Sequence, residues 1–299
     1  AATATIVSKM RLKVYHRTEY TYANAVINNS NEVRLSPKLT PYQEVETNFI
    51  SVLPATRLTS YTDLNFNRVH RFNIPQPHQQ LTIDSRFTVK TKKPFEIDSL
   101  PYGYAHIELK KCSQNDTCHT YLQDSSFVEK TPHIWREALD IQAHSTDVFQ
   151  TCSALMDFIY SEFTYASGAT QVTTHAGEVI KGRIGVCQDF AHAMTAYCRS
   201  LGIPARYVSG YFFDSTRDQN LRGSEASHAW VEVYLGQHGW VGLDPTNRKV
   251  VDDTYVVLAY GRDYRDVAPV IGSYFGGGGS QLTIRVKVES LETNTASVS

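Results

Sequence analysis

The 299-residue sequence predicts an α+β protein in which an antiparallel β domain precedes a domain of mixed helices and strands. Three observations predict this class. Apolar and polar residues alternate over the first third of the chain, helical spacing begins near Thr131, and strand-like segments return after Pro204. We expect the two domains at 10–125 and 126–275, and a last strand at 276–290 that pairs back with the first domain.

Alternation with a period of two defines the β domain. In LTIDSRFTVK, as in RLKVYHRTEYTY, apolar side chains fall on one face and charged ones on the other, which is typical of a half-solvated antiparallel sheet. Turns rich in Asn, Pro and Asp separate such segments. After the glycine run GGGG, QLTIRVKV repeats the pattern, so we expect it to join the first strands. The glycines themselves either border a cleft or form a flexible connection.

Three helices are predicted between Thr131 and Lys181, ahead of the helix that begins at Cys187. Pro132 stands at the first position of one in TPHIWREAL. Asp147 caps a second in DVFQTCSALMDFIYSEF, where apolar residues recur every three or four positions. A third covers HAGEVIK, with Thr174 as its expected cap. The segments ARYVSGYFF, HAWVEVYL and GWVGLDP then read as strands.

Composition and charge narrow the classes of function. Hydrophobic residues make up 41% of the chain and charged residues 20%, as in globular proteins with an ample core. The net charge of −1 gives no reason to expect a nucleic acid or a membrane as partner. No apolar run approaches the roughly 20 residues of a spanning helix, and AATATIVSKM lacks the apolar core of a secretion signal. We therefore expect a cytoplasmic protein.

Five cysteines, an odd number in a long chain, argue against a disulfide scaffold. Cys112 and Cys118 flank the polar loop CSQNDTC. They either form a small bridge or remain free thiols on a surface loop, and a reducing compartment favours free thiols. The sequence has no HExxH, CxxC, calcium loop, GxGxxG or P-loop, so we expect neither a metal nor a nucleotide cofactor.

The segment GVCQDFAHAMTAYCRSLGIPARYVSGYF places Cys187 at the start of a helix that ends at Gly202. A thiol in the first turn lies among unpaired backbone N–H groups at the positive end of the helix dipole, which favours the thiolate. The same N–H groups can stabilise an oxyanion on a substrate. By itself, however, a single cysteine is more often an inert core residue.

Nucleophilic catalysis by cysteine needs a histidine, and a third group that orients this histidine. His228 begins one predicted strand and Asp244 ends the next, in an antiparallel hairpin. A four-residue turn at 236–239 would put the two side chains on opposite faces. A loop of three or five residues, or one bulge, would bring them to the same face. A triad with Cys187 therefore requires such a loop.

These segments resemble the core of the bacterial transglutaminase-like proteins, in the papain-like cysteine-enzyme superfamily. The motifs are GVCQDFAHAM, SHAWVEVYL with GWVGLDPTN, and AYGRDYRDVAPV. Upstream, YTYANAVINNSNEVRLSPK, YTDLNFNRV and PQPHQQLTIDSRFTV resemble the β region that precedes this core, although DLNFN lacks the glycine expected before Asn67. The resemblance runs from about Met10 to Val288. It implies a cysteine at the head of a helix packed on an antiparallel sheet that bears the histidine and the aspartate.

The resemblance implies that Cys187 is the nucleophile, His228 the general base and acid, and Asp244 the residue that orients His228. Attack on an amide carbonyl would give an acyl-thioester, which water releases as an acid. We expect this hydrolysis of peptide or isopeptide bonds because water is always available. The alternatives are transfer to a lysine amine, as in transglutaminases, and a non-catalytic peptide-binding scaffold. The substrate is expected to be a peptide or protein, and the oligomeric state is left open.

Three further residues are secondary candidates for the site. Gln188 is a candidate second oxyanion donor after the backbone N–H of Cys187, or it points to solvent. Trp230 shares a strand face with His228, and either packs against the imidazole or lines the acyl pocket. Tyr211 is a candidate border of the cleft.

Two helix residues near the cysteine are expected to have structural roles. Asp189 is expected to support the helix N-terminus electrostatically. His192 lies about 140° round the helix from Cys187, so it is expected to face away from the thiol.

Overall fold

The structure, a computed structural model, describes residues 9–95, 99–112, 114–215, 220–222 and 227–291, and of 220–222 only the main chain. Most of the segment compared with a secretion signal, residues 1–8, lies outside these ranges. The strands are β1 (Lys9–Val33), β2 (Gln43–Leu53), β3 (Thr59–Thr62), β4 (Arg68–Ile74), β5 (His78–Lys92), β6 (Thr164–Tyr165), β7 (Ile184–Gly185), β8 (Ala205–Phe212), β9 (Asn220–Arg222), β10 (His228–Tyr234), β11 (Trp240–Asp244), β12 (Lys249–Val250), β13 (Tyr255–Gly261), β14 (Val270–Gly276) and β15 (Ser280–Ser290). The helices are α1 (Leu109–Cys112), α2 (Asp116–His119), α3 (Pro132–Gln142), α4 (Val148–Glu162), α5 (Ala176–Gly182), α6 (Cys187–Ser200) and α7 (Tyr264–Val267).

An antiparallel sheet of eight strands, counted over the described residues, is built around β1. Its main path runs β2-β5-β1-β15-β9, while β14 and β4 also pair with β1, and β3 pairs with β4. The last strand, β15, pairs with β1 from Leu12 opposite Ser290 to Tyr22 opposite Ser280. The N-terminal and C-terminal ends of the described chain thus lie in the same sheet.

The structure divides the chain differently from the sequence boundaries at 126 and 275. Helices begin at α1, ahead of residue 126, and β14 already pairs with β1 from Val33 opposite Val270 onwards. Residues 271–276 are largely exposed, so β14 has no clear apolar alternation that would mark it as a strand of the first sheet. The four glycines at 276–279 all have positive φ and carry the chain from β14 to β15. They connect two strands of this sheet and do not border the candidate site.

A second antiparallel sheet, with strand order β12-β11-β10-β8-β13, carries helices α3 to α6 on one face. The apolar side chains of α6 and α4 pack with those of β8, β10 and β11 in one continuous core. Elsewhere in the sheet, β8 and β13 place Tyr211, Val256 and Leu258 in the core of the first sheet. The two sheets therefore share a buried contact, and β8 takes part in both cores.

Side-chain caps begin the helices largely where the sequence predicts them. Thr131 accepts a hydrogen bond from Ile134 N, and Asp147 accepts one from Gln150 N. The prediction that Thr174 caps α5 is wrong. The hydroxyl of Thr174 accepts a hydrogen bond from Gln171 N in the preceding turn, and the cap position of the helix is the next residue, His175. None of the helices in the described ranges is long and apolar enough to cross a membrane.

Cys112 and Cys118 are free thiols in the structure. The expected surface loop is wrong, since both residues are buried, at 3% and 0% exposure. Tyr104 Oη lies 3.2 Å from Cys112 Sγ. The short helices α1 and α2 turn these side chains into the core, which local polarity does not reveal.

Candidate active site

Cys187 is the first residue of α6, and the residues around it fix this helix start. Asp189 reaches back, so that its Oδ2 accepts from Val186 N at 2.8 Å and from Thr170 Oγ1 at 2.5 Å. A side chain at Gly185 would bring its Cβ within 2.6 Å of Asp189 Cβ. A glycine is therefore needed at position 185, two residues before Cys187, to leave room for the Asp189 side chain.

The hairpin of β10 and β11 has the register that a triad requires. Tyr234 pairs with Trp240, which leaves a loop of five residues at 235–239. In this register Asp244 is a diagonal neighbour of His228 on the same face. His228 Nε2 donates a hydrogen bond to Asp244 Oδ2 at 2.7 Å.

The carboxylate of Asp244 is completely buried and held by several donors. Oδ1 accepts from the backbone N atoms of Thr246 and Asn247 at 2.9 and 3.2 Å. Besides His228, Oδ2 accepts from Asn247 Nδ2 at 2.7 Å and from Tyr255 Oη at 2.8 Å. Burial opposes the charge, but His228, Asn247 and Tyr255 outweigh it and hold the pKa of Asp244 below its usual value.

The sequence reasoning missed the two side chains that support Asp244. Asn247 had a local signal, because a polar residue three positions after an aspartate at a strand end is typical of a turn. Tyr255 had none, since a tyrosine in a buried strand is more often only a core residue.

The imidazole of His228 is hydrogen-bonded to Asp244, and it lines one cavity together with Cys187. Burial favours the neutral ring, but Asp244 and then Cys187 outweigh it and raise the pKa of His228 to about 10. His228 is therefore an imidazolium at neutral pH. Because Nε2 is used by Asp244, Nδ1 is the nitrogen left for the sulfur.

A cavity of about 180 Å³ opens beside the sulfur. Its walls are the loop 168–172, the first turn of α6, the facing parts of β8 and β10, and Tyr264 with Pro269. Cys187 is 7% exposed, and it lines this cavity together with His228. No lysine or arginine is among the described residues that line it.

The structure gives different roles to the secondary candidates Gln188 and Trp230. Gln188 Nε2 donates to Val172 O at 3.0 Å, so this amide holds the cavity wall. Trp230 is fully buried and stacks on His228 with ring centroids 6.0 Å apart, which favours packing over lining the pocket.

The placement of Tyr211 at the cleft is wrong. It follows Tyr207 and Ser209 on the same face of β8, but the first sheet covers this end of the strand. The hydroxyl of Tyr211 lies 2.6 Å from His16 Nδ1.

His192 faces away from the thiol and supports the opposite wall of the cavity. It is completely buried, and its Nε2 accepts a hydrogen bond from Tyr264 N at 3.1 Å. Its ring packs against Tyr207 at 4.9 Å between centroids. Burial lowers the pKa of His192 to about 4, so the ring is neutral at neutral pH.

The described residues contain no group of three or more His, Cys, Asp or Glu side chains that could hold a metal ion.

A thiol at the head of a helix, packed on an antiparallel sheet that carries a histidine and an aspartate, defines a transglutaminase-like fold. The model of the transglutaminase-like superfamily matches residues 119–245, and the bacterial transglutaminase-like N-terminal region matches residues 12–90. The chain belongs to the transglutaminase-like superfamily, in its bacterial branch. This confirms both the family and the fold class that the sequence motifs imply.

Relatives of similar length include uncharacterised proteins of two mycobacteria. The Mycobacterium leprae protein is 32% identical over 287 residues, covering 94% of this chain and 99% of the relative. The Mycobacterium tuberculosis protein is 33% identical over 295 residues, covering 94% and 93%. A protein-glutamine gamma-glutamyltransferase of Pseudomonas aeruginosa is 33% identical over 113 residues, covering 35% of this chain and 16% of that protein.

One solved structure is similar over nearly the whole chain. It is the crystal structure of a protein from Cytophaga hutchinsonii, provisionally classed as a cysteine protease. The two share 25% sequence identity with a TM-score of 0.76, over 96% of this chain and 92% of the other. The two-sheet architecture is therefore common to both proteins.

Proposed function

We propose that this protein is a cysteine-dependent hydrolase of peptide or isopeptide amide bonds. The observation that carries the proposal is the contact of His228 with both Cys187 and Asp244 at the edge of one cavity. The similarity to the Cytophaga hutchinsonii protein supports the same class of reaction.

In the first half of the reaction, the thiolate of Cys187 attacks the carbonyl carbon of the scissile amide. The developing oxyanion lies near the first-turn N–H groups of α6, which stabilise negative charge. The imidazolium of His228 gives its proton to the leaving nitrogen. The C–N bond breaks, the amine or ammonia departs, and an acyl-thioester remains on Cys187.

In the second half, neutral His228 takes a proton from water, and the resulting hydroxide attacks the thioester. The C–S bond breaks, the acid leaves, and the thiolate and the imidazolium are regenerated. Asp244 keeps the ring in place throughout and stabilises its positive charge.

Acyl transfer to an amine is the second candidate reaction. The Pseudomonas aeruginosa relative supports it, because that protein is named a protein-glutamine gamma-glutamyltransferase. The similarity to this relative covers only 35% of this chain. The same residues serve if a primary amine replaces water in the second half. Incubation with a glutamine-containing protein and a labelled amine separates the two, because hydrolysis releases free acid whereas transfer fixes the label to the protein.

Alkylation by iodoacetamide, followed by mass spectrometry, tests the site without a known substrate. We expect Cys187 to react about tenfold or more faster than the other four cysteines, because it begins α6 and shares the cavity with His228. His228→Ala should slow this reaction, and Cys187→Ala should abolish it. Slow, uniform labelling of all five cysteines would contradict the proposal.

The nature of the substrate and the cytoplasmic location stay predictions from the sequence, as do the expected absences of a nucleic-acid or membrane partner and of a cofactor.

A further inference from the structure

We propose that Tyr255 is a positioning residue of the candidate site, which shares the Oδ2 atom of Asp244 with His228 and thereby limits how tightly this oxygen holds the imidazolium proton. The inference deepens the proposed function and rests on it for the role of His228. No sequence motif singles Tyr255 out, and it does not line the cavity beside the sulfur.

Tyr255 reaches Asp244 from a distant strand of the same sheet. It is the first residue of β13, which is separated from β11 by β8 and β10 in the strand order. Its side chain is buried, at 3% exposure, and its Oη lies 2.8 Å from Asp244 Oδ2. Burial and then Asp244 raise the pKa of Tyr255, so the hydroxyl keeps its proton and acts as the donor.

The two carboxylate oxygens of Asp244 accept hydrogen bonds from different donors. Oδ1 accepts from the backbone N atoms of Thr246 and Asn247, and this fixes the direction of the carboxylate. Oδ2 is the oxygen bound to His228, and Tyr255 and Asn247 also donate to it. Each added donor stabilises negative charge on Oδ2 and weakens its attraction for the imidazolium proton. Removing the Tyr255 hydroxyl should therefore change the strength of the His228 contact more than its geometry.

Ring packing keeps the Tyr255 side chain in place when the hydroxyl is removed. Its ring lies 4.7 Å from that of Phe212 and 5.2 Å from that of Trp230, between centroids. Both neighbouring rings also pack against His228. A phenylalanine at position 255 can retain these contacts, so the substitution isolates the hydrogen bond.

The other titratable groups around the pair stay unchanged in such a variant. Cys187 faces His228 from α6, and Asp244 faces it from β11. Lys249 lies with Nζ 5.6 Å from the centroid of the Tyr255 ring, and forms an ion pair with Asp252 at 2.8 Å. Towards the cavity, the further titratable neighbours are Asp189, Tyr207 and Tyr264. A change in the titration of His228 on Tyr255→Phe can then be assigned to the lost donor.

The test is an NMR titration of His228 in protein labelled with ¹⁵N-histidine, with Cys187→Ala as the common background. Removal of the thiol eliminates one of the groups that raise the pKa of His228, which moves the titration towards lower pH. We expect Tyr255→Phe to raise the pKa of His228 by about half a pH unit, a roughly threefold lower acid dissociation constant.

Tyr211→Phe is the matched control, because it removes another buried tyrosine hydroxyl that contacts a different histidine, His16. This variant should leave the His228 titration unchanged. A superimposable titration for Tyr255→Phe, or a shift to lower pH, would overturn the inference.

The alkylation experiment distinguishes this inference from the proposed function. If His228 shifts as expected while Cys187 reacts no faster than the other cysteines, the proposed function fails and the role of Tyr255 stands. If Cys187 is reactive and His228 does not shift, only the role of Tyr255 fails.

Discussion

Asp189 connects the start of α6 to the loop that forms one wall of the cavity. Its Oδ2 accepts from Val186 N and Thr170 Oγ1, whereas its Oδ1 is buried and has no hydrogen-bond partner among the described residues. Burial raises the pKa of Asp189, and the two donors act against this change. One side chain thus stabilises both the turn that presents Cys187 and the wall opposite it.

Replacing this residue tests its role at the helix start. Asp189→Ala should lower the free energy of unfolding by about 1 kcal/mol, as expected for the loss of a helix cap. Equilibrium urea denaturation measures the change. Thr170→Val removes only the link to the loop, so it should cost less. Equal stability of Asp189→Ala and the native chain would show that the cap has no net effect.

At the scale of elements, the loop between β10 and β11 decides whether the candidate triad exists. Side chains alternate between the two faces of a sheet, so a change of one residue in the loop moves one strand by one position. The observed five-residue loop includes a 3-10 turn at Gly236–His238 and places Asp244 on the face of His228. The length of the loop thus sets the relative position of His228 and Asp244, which neither strand determines by itself.

Deleting Gln237 should separate His228 from Asp244. The loop would then contain four residues, and the register would put the two side chains on opposite faces. We expect the faster alkylation of Cys187 relative to the other cysteines to be lost, while circular dichroism shows that the sheets persist. Gln237→Ala keeps the loop length and should react like the native chain. Undiminished alkylation of the deletion variant would contradict this account of the register.

At the scale of the whole molecule, β8 connects the first sheet to the candidate site. Tyr207 and Ser209 line the cavity, and Tyr211 on the same strand contacts His16 of β1. His16 is 1% exposed, and its Nε2 lies 3.0 Å from Thr18 Oγ1. Burial lowers the pKa of His16 to about 4, although Asp84 acts in the opposite direction. The contact between the sheets therefore contains a histidine that is neutral at neutral pH.

Acid should destabilise the protein through this contact. The folded-state pKa of His16 lies below its ordinary value of 6.5, so its contribution to stability is complete above about pH 6.5 and is lost as the pH falls towards about 4. His192 adds a change of the same sign. Melting temperatures measured across this range should fall, and less steeply for His16→Gln. An equal slope in that variant would exclude His16 as a cause.

The sequence by itself determined the features that depend on neighbouring residues. Alternation in LTIDSRFTVK, the caps at Thr131 and Asp147, and the start of α6 at Cys187 are all local patterns. The same short motifs identified the family and brought His228 and Asp244 into consideration. Such patterns suffice because backbone conformation and the apolar face of an element are set within a few residues.

Only the tertiary structure decided which element covers which face. Loops of four and five residues were both compatible with the hairpin sequence, and the packed sheet has five. Tyr211 is covered by the first sheet, and Tyr255 crosses two strands to reach Asp244. The Tyr211–His16 contact joins residues 195 positions apart, and the Tyr255–Asp244 contact joins strands that are not neighbours in the sheet, so both depend on the packing of whole sheets. Local periodicity shows that a face is apolar, but not which distant side chain will meet it.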